Sequence, residues 1–245
     1  MAVVRVTTRL DLEYDGTAFA GWARQPGLRT VESELMGALA TLLGGAVALT
    51  VAGRTDRGVH ARGQVVSYEG PPAEVAALNA VLPHDLVVRS SRTAPEGFDA
   101  RNDAVARGYC YRVLARREPS AFTRTTELWW PRVLDRELLH ACAALLPGTH
   151  DFTAFTPAGG GYVHLRRTVL DARWEEDGDR AAFWIEAESF LRHMNRTLVG
   201  SMLDVAGGRR SLDSFAALLK GAARAQAGPT ADPRGLCLES VRYPA

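Results

Sequence analysis

Lysine is almost missing from this 245-residue chain: Lys220 is the only one among 29 Lys and Arg residues, so every other basic side chain is an arginine. Cysteine is scarce as well. Cys110, Cys142 and Cys237 are odd in number and form no C-x-x-C pair, which argues against a disulfide framework and a cysteine-based zinc site and suits a reduced compartment. No run of about 18 apolar residues is present to cross a membrane, and MAVVRVTTRL lacks the apolar h-region of a signal peptide. These absences lead us to expect a cytoplasmic protein with no membrane partner. With 47% hydrophobic and 23% charged residues, disorder and fibrous structure are excluded. A chain of this length buries roughly 70% of the surface its unfolded form exposes, enough for one or two domains without staples.

Charge of one sign is also lacking. The 29 basic residues face 28 acidic ones for a net charge of +1, which as an average speaks against a nucleic-acid partner. The arginine excess has a bland reading too, because a GC-rich genome would enrich Arg together with Ala, Gly and Val. Placement has to decide between codon drift and function.

Periodicity supplies the fold class. VVRVTTRLDLEY (3 to 14) alternates and stops at Asp15-Gly16, a strand and a turn. TVESELMGALATLL (30 to 43) sets Val31, Leu35, Leu39 and Leu42 on one helical stripe behind a Thr30 cap. LTVAG (49 to 53) and QVVSY (64 to 68) read as strands, PPAEVAALNAVLP (71 to 83) as a helix started and stopped by proline with Val75, Leu78 and Leu82 on one side, and DLVVRSSR (85 to 92) as a strand. That order, β-α-β-β-α-β, is the split plan of ferredoxin-like folds and RNA-recognition modules.

The second half offers strands at 108 to 116, 127 to 133, 169 to 174, 180 to 190 and 236 to 243. Its helices are expected at 135 to 148, with Leu138, Cys142 and Leu145 in register, at 191 to 208, closed by Gly207-Gly208, and over LDSFAALLKG. We therefore expect an α+β protein of two ferredoxin-like halves, 1 to 104 and 105 to 245, sharing an extended mixed or antiparallel sheet with flanking helices. The glycine-rich stretch 156 to 166 is the candidate mobile loop.

The densest polar segment is AGRTDRGVHARGQ (52 to 64), set between two apolar strands and carrying Arg54, Asp56, Arg57, His60 and Arg62. Nearby arginine favours the ionised form of Asp56, which would keep a carboxylate in a site usable as base or nucleophile at neutral pH. Each feature has a plainer reading. Asp56 would cap a turn, its arginines would be solvated, and His60 would only make hydrogen bonds. Tyr109 and Tyr111 share a strand face, and either would serve as the core member; Arg192 and Arg196 would be a solvated helix face, with His193 and Met194 structural.

Five blocks in chain order resemble the TruA family of tRNA pseudouridine synthases. They are EYDGTAFAGWARQP (13 to 26), AGRTD-x-GVHA (52 to 61), FDARNDAVARGYCYRV (98 to 113), FLRHMNRTLVG (190 to 200) and AGPTADPRGLCLESVRY (227 to 243). The resemblance implies the pseudouridine synthase fold and isomerisation of uridine at positions 38, 39 and 40 of the tRNA anticodon stem-loop by a homodimer, without metal or cofactor. It implies that Asp56 acts at the ribose as nucleophile or base, that Tyr109 stacks on the target base, and that Arg196 pairs with the aspartate. Leu236 would line the pocket and Arg54 would help displace the target nucleotide. Chemistry agrees: a detached, neutral uracil must turn without escaping, which suits an aromatic face and an apolar wall, and a stem-loop base must first be flipped out. A lone carboxylate suffices where no water needs activation.

The sequence departs from the family pattern at Ala23, where Gln is usual, at Asp99, where His is usual, at Thr197, where Asn is common, and at Arg57, where a small residue is usual. None of these positions is assigned to chemistry. Two rivals stand beside the enzyme reading: a non-catalytic RNA-binding protein retaining the fold, and an aspartate-dependent glycoside hydrolase, against which the arginine-rich stretches 101 to 117 and 192 to 210 argue.

Overall fold

The computed structural model describes residues 6 to 159 and 163 to 244. The start of the expected first strand (3 to 5) and the centre of the glycine-rich stretch (160 to 162) lie outside the described residues. The chain forms two compact units, Met1–Arg107 with Cys237–Ala245, and Gly108–Leu236.

In the first unit β1 (Thr7–Tyr14) alternates so that Thr8, Leu10, Leu12 and Tyr14 point inward. Helix α1 (Val31–Leu43) starts where expected: Thr30 and Ser33 form a reciprocal capping box, and Val31, Leu35, Ala38 and Leu39 are buried. Leu42, expected in that stripe, is exposed at the helix end. Then follow β2 (Thr50–Val51), β3 (His60–Glu69), α2 (Val75–Val81) and β4 (Leu86–Thr93). Strand β1 lies between β3 and β4, antiparallel to both, and β2 pairs antiparallel with the far end of β3 at Ser67 and Val66. The order 4-1-3-2 is the ferredoxin-like arrangement that the element order implied. Helix α2 begins at a Glu74 cap whose carboxylate accepts from Ala77, three residues after the proline pair expected to start it.

In the second unit β5 (Ala106–Leu114), β6 (Leu128–Trp129), α3 (Arg136–Ala144), β7 (Gly148–Asp151), β8 (Arg166–Asp177), β9 (Arg180–Ala187), α4 (Met194–Ala206) and α5 (Leu212–Leu218) follow in sequence. Strands run in the order β5-β9-β8-β7, with β6 parallel to β5. The β8–β9 hairpin turns on Gly178-Asp179 with Gly178 at φ 59°, so the expected hairpin is present but its turn is shorter than the EEDGD stretch: Glu175, Glu176 and Asp177 still pair with β9 as the end of β8. Helix α3 buries Leu139, Cys142, Ala143 and Leu146 and not the expected Leu138 and Leu145. Adjacent leucine pairs allow both stripes, and packing on α4 and β8 selects the one that continues an i, i+3, i+4, i+7 pattern.

The last strand, β10 (Leu236–Arg242), runs parallel to β3 at the near end, with Cys237 opposite His60 and Leu238 opposite Ala61. Strand β3 thus carries β2 along one end of its edge and β10 along the other. The stretch 52 to 59, which links β2 to β3, is the Asp56 loop.

Candidate active site

Asp56 sits half-buried on that loop, between Arg54 and Arg57, whose side chains are exposed. The Asp56 carbonyl accepts from Val59 N–H at 3.1 Å, closing a tight turn in which Gly58 takes φ 78°. The N-terminal block packs on this turn from outside. Trp22 N–H donates to the Thr55 carbonyl at 3.0 Å, Gly58 N–H donates to the Phe19 carbonyl, and Gly16 N–H donates to His60 Nδ1 at 3.0 Å. A side chain at position 16 would collide with the Val59 carbonyl, so only glycine lets these backbones approach. His60 therefore serves the loop as a hydrogen-bonding residue, its plainer reading.

Behind the turn lies a buried polar cluster. Tyr14 and Thr55 share a hydroxyl–hydroxyl hydrogen bond of 2.7 Å, and the Gln64 amide donates to the Tyr14 oxygen at 3.2 Å and to the Gly53 carbonyl at 2.8 Å. Gln64 is fully buried, and burial pushes the Tyr14 hydroxyl well above the usual phenol range. From the other side Arg107, also buried, donates to the carbonyls of Ala52, Arg101 and Ala104. Thr55 lies between Arg54 and Asp56, and Ala52 stands two residues before Arg54, so these bonds fix the backbone that carries the carboxylate. Tyr14→Phe leaves the Thr55 hydroxyl without this partner; the expected outcome is a loss of about 1–2 kcal/mol of stability with turnover falling more than substrate affinity. Thermal unfolding and steady-state kinetics check it; a variant matching the wild type in both would contradict the cluster's role.

In the second unit β5 buries both tyrosines of the 98–113 block, but differently. Tyr111 is fully buried, and its hydroxyl donates to the Asp232 carbonyl at 2.7 Å. Tyr109 keeps 8% exposure and meets Phe190 edge-on at 5.1 Å between ring centroids. Tyr111 is thus a core member whose hydroxyl is bound to backbone, the role that was open between the two.

Helix α4 starts at His193, which takes φ 63°, so Arg192 precedes the helix and Arg196 lies in its first turn. Arg196 is half-buried, and the solvated-face reading does not hold for it. Its Nε donates to the Ala231 carbonyl at 2.8 Å while Ala231 N–H donates to the Arg196 carbonyl at 3.0 Å. The AGPTAD stretch is strapped to α4 at further points, with Gly228 N–H donating to Ser201 Oγ at 2.9 Å and Thr197 facing Thr230 at 3.3 Å. Burial works to raise the Asp232 carboxyl, but bonds from Arg234 and the nearby Arg196 charge hold it below the usual carboxylate range. Leu236, buried, follows the strap after the single turn Pro233–Gly235.

Within the units the structure therefore brings Arg54 and Asp56 onto one braced turn and sets Arg196 beside Asp232 and Tyr111. Sequence reasoning passed over Tyr14, Thr55, Gln64 and Arg107. Gln64, a polar residue in line with Val66 and Tyr68 on one face of the strand, was the available signal. Of the departures, Asp99 caps a turn, accepting from Arg101 N–H and Asn102 N–H at 2.8 and 2.7 Å. Among the described residues no group of three or more His, Cys, Asp or Glu is placed to hold a metal, and no helix is long and apolar enough to cross a membrane.

A family profile described as tRNA pseudouridine synthase matches residues 142–244. The tRNA pseudouridine synthase A of Myxococcus xanthus is 41% identical over 243 residues, spanning 96% of this chain and 91% of the relative. That of Frankia casuarinae is 42% identical over 247 residues, spanning 98% and 90%. That of Geobacter sp. strain M21 is 38% identical over 242 residues, spanning 96% and 98%. The likeness runs through both units and all five motif blocks, and the chain belongs to the tRNA pseudouridine synthase A family.

Proposed function

We propose that Asp56 carries the isomerisation of uridine to pseudouridine at positions 38, 39 and 40 of the tRNA anticodon stem-loop. The isomerase activity on tRNA itself rests on one observation, the end-to-end likeness to enzymes of that name. The reaction breaks the bond from ribose C1′ to uracil N1 and forms one from C1′ to C5; C5 gives up its hydrogen and N1 takes one up. A carboxylate at the sugar stabilises the cationic character that develops at C1′, as in glycoside-cleaving enzymes. Asp56 supplies that carboxylate and Arg196 its cationic partner. Tyr109 supplies the face on which the detached base turns, and Leu236 an apolar wall. Arg54 displaces the target nucleotide, which costs a few kcal/mol of unstacking offset by the new contacts.

The braced turn supports this assignment, because a group that must meet C1′ in one geometry gains from a fixed backbone. The exposed arginines beside it support an RNA substrate. Salt is expected to weaken tRNA binding steeply, by about a hundredfold or more between 50 and 200 mM, since each neutralised phosphate releases counterions. Filter binding over that range checks it, and a flat response would contradict an arginine-lined RNA surface. Position choice is tested with transcripts in which uridines 38, 39 and 40 are replaced singly and together. Loss of all product from the triple replacement is expected, and undiminished product would overturn the site assignment. We propose further that the enzyme works as a cytoplasmic homodimer, which sedimentation of the purified chain tests.

A further inference from the structure

The chain between β5 and α3 leaves its most hydrophobic tip in water. Phe122 is 96% exposed, and Trp129 and Val133 on the same connection are exposed as well. Such a ring on a loose loop would fold inward, but this connection is held in place by its own bonds. Ala115 N–H donates to the Asp179 carbonyl at 2.7 Å, and Trp129 Nε1–H to the Arg116 carbonyl at 3.0 Å. The Arg234 guanidinium donates to the Arg124 carbonyl at 3.0 Å, and Thr126 and Glu127 N–H groups close turns on the Thr123 carbonyl. Ser120 Oγ accepts from the N–H of Phe122 itself at 3.3 Å.

The exposed charge near the ring in sequence is mostly basic. Arg117, Arg124 and Arg132 are exposed and form no ion pair among the described residues. The acids of the connection are Glu118, which is exposed, Glu127, which is buried and paired with Arg180 at 3.1 Å, and Asp135, which is exposed and caps α3 by accepting from Leu138 N–H. A fixed aromatic ring among unpaired arginines is the pattern by which proteins hold unpaired nucleotides, the ring stacking on a base and the guanidiniums meeting phosphates. A two-fold contact between copies of this chain through the same patch would gather Arg117 and Arg124 of both copies into one interface, with Glu118 and Asp135 the exposed acids of the connection to answer them.

We propose that Phe122 is a stacking platform for an unpaired base of the tRNA other than the reacting uridine, with Arg117 and Arg124 on the flanking phosphates. A paired base offers no free face, so the partner is a nucleotide of a loop or an end. The proposal rests on the tRNA reading above. The test compares wild type, Phe122→Ala, Phe122→Trp and the double variant Arg117→Ala/Arg124→Ala on a tRNA transcript, reading KM, kcat, binding affinity and sedimentation. Phe122 packs on nothing, so its variants keep the fold. Phe122→Ala is expected to raise KM and Kd about tenfold with kcat at saturation retained, and Phe122→Trp to restore both. The double arginine variant is expected to lower the salt slope of binding by about two. Phe122→Ala with wild-type KM and Kd overturns the proposal while leaving the activity intact. A lower sedimentation mass with unchanged KM overturns it in favour of a self-contact. A wild type that binds no tRNA overturns both the proposal and the reading beneath it, and so separates the two failures.

Discussion

Replacing Asp56 with asparagine is expected to reduce uridine isomerisation by at least about a thousandfold, the range in which a positioned acid or base contributes, while tRNA affinity stays within a few fold. Asparagine keeps the size and hydrogen-bonding reach of the side chain. The turn that carries it is closed by main-chain bonds from Val59 N–H and Trp22 N–H, which this change does not touch. What is lost is the negative charge, and with it both the capacity to attack or accept a proton at the ribose and the stabilisation of a cationic C1′. The variant should therefore bind, unfold at the wild-type temperature and not turn over. Single-turnover assays, filter binding and a thermal melt separate these quantities. Turnover within tenfold of the wild type would remove Asp56 from the chemistry.

Gly200→Ala is expected to destabilise the fold by about 3 kcal/mol, in the range of core overpacking. Position 200 is inside α4, where alanine normally stabilises a helix by about 1 kcal/mol relative to glycine. Here the added methyl would fall on the Pro229 carbonyl oxygen, a backbone atom that cannot swing aside as a side chain can. Relief requires moving the strap 227 to 232, whose Ala231 holds the Arg196 side chain. Both stability and turnover should fall. At about 2–4 °C per kcal/mol for a chain of this size the melt should drop by roughly 6–12 °C. A Tm equal to the wild type or higher would show that the close approach is not maintained in solution.

Much of the fold was legible because local signals agreed. Thr30 marks the start of α1, the apolar alternation of β1 selects its buried face, and the acidic Gly178 turn separates two strands. Legibility failed where a distant segment decides. The stripe of α3 depends on which leucine of each pair meets α4, and nothing local to 138 and 139 settles that. Strand β7 (GTHD) has no apolar alternation, because it is an edge strand exposed along half its length. The expected strand 127 to 133 shrinks to Leu128–Trp129.

For the site, residue identity carried further than pattern. Asp56, Tyr109, Arg54, Arg196 and Leu236 were picked out by motif blocks, whereas periodicity left Tyr109 and Tyr111 open and read Arg196 as solvated. What holds the Asp56 turn was invisible: Gly16 meets Val59, and Tyr14 meets Thr55, across more than forty residues. A net charge of +1 pointed away from nucleic acid, because the average hides pairing. Arg9, Arg29, Arg92 and Arg173 are ion-paired with nearby acids, while Arg54 and Arg57 beside Asp56 are exposed without an ion pair among the described residues.

Isomerisation of uridine within tRNA by this chain has a direct readout, the release of hydrogen from C5 of labelled uridine in a tRNA transcript. The purified wild-type protein alone, without added metal or cofactor, is expected to release that hydrogen and leave an equal amount of pseudouridine in the RNA. No release above background by folded protein that binds the transcript would contradict it.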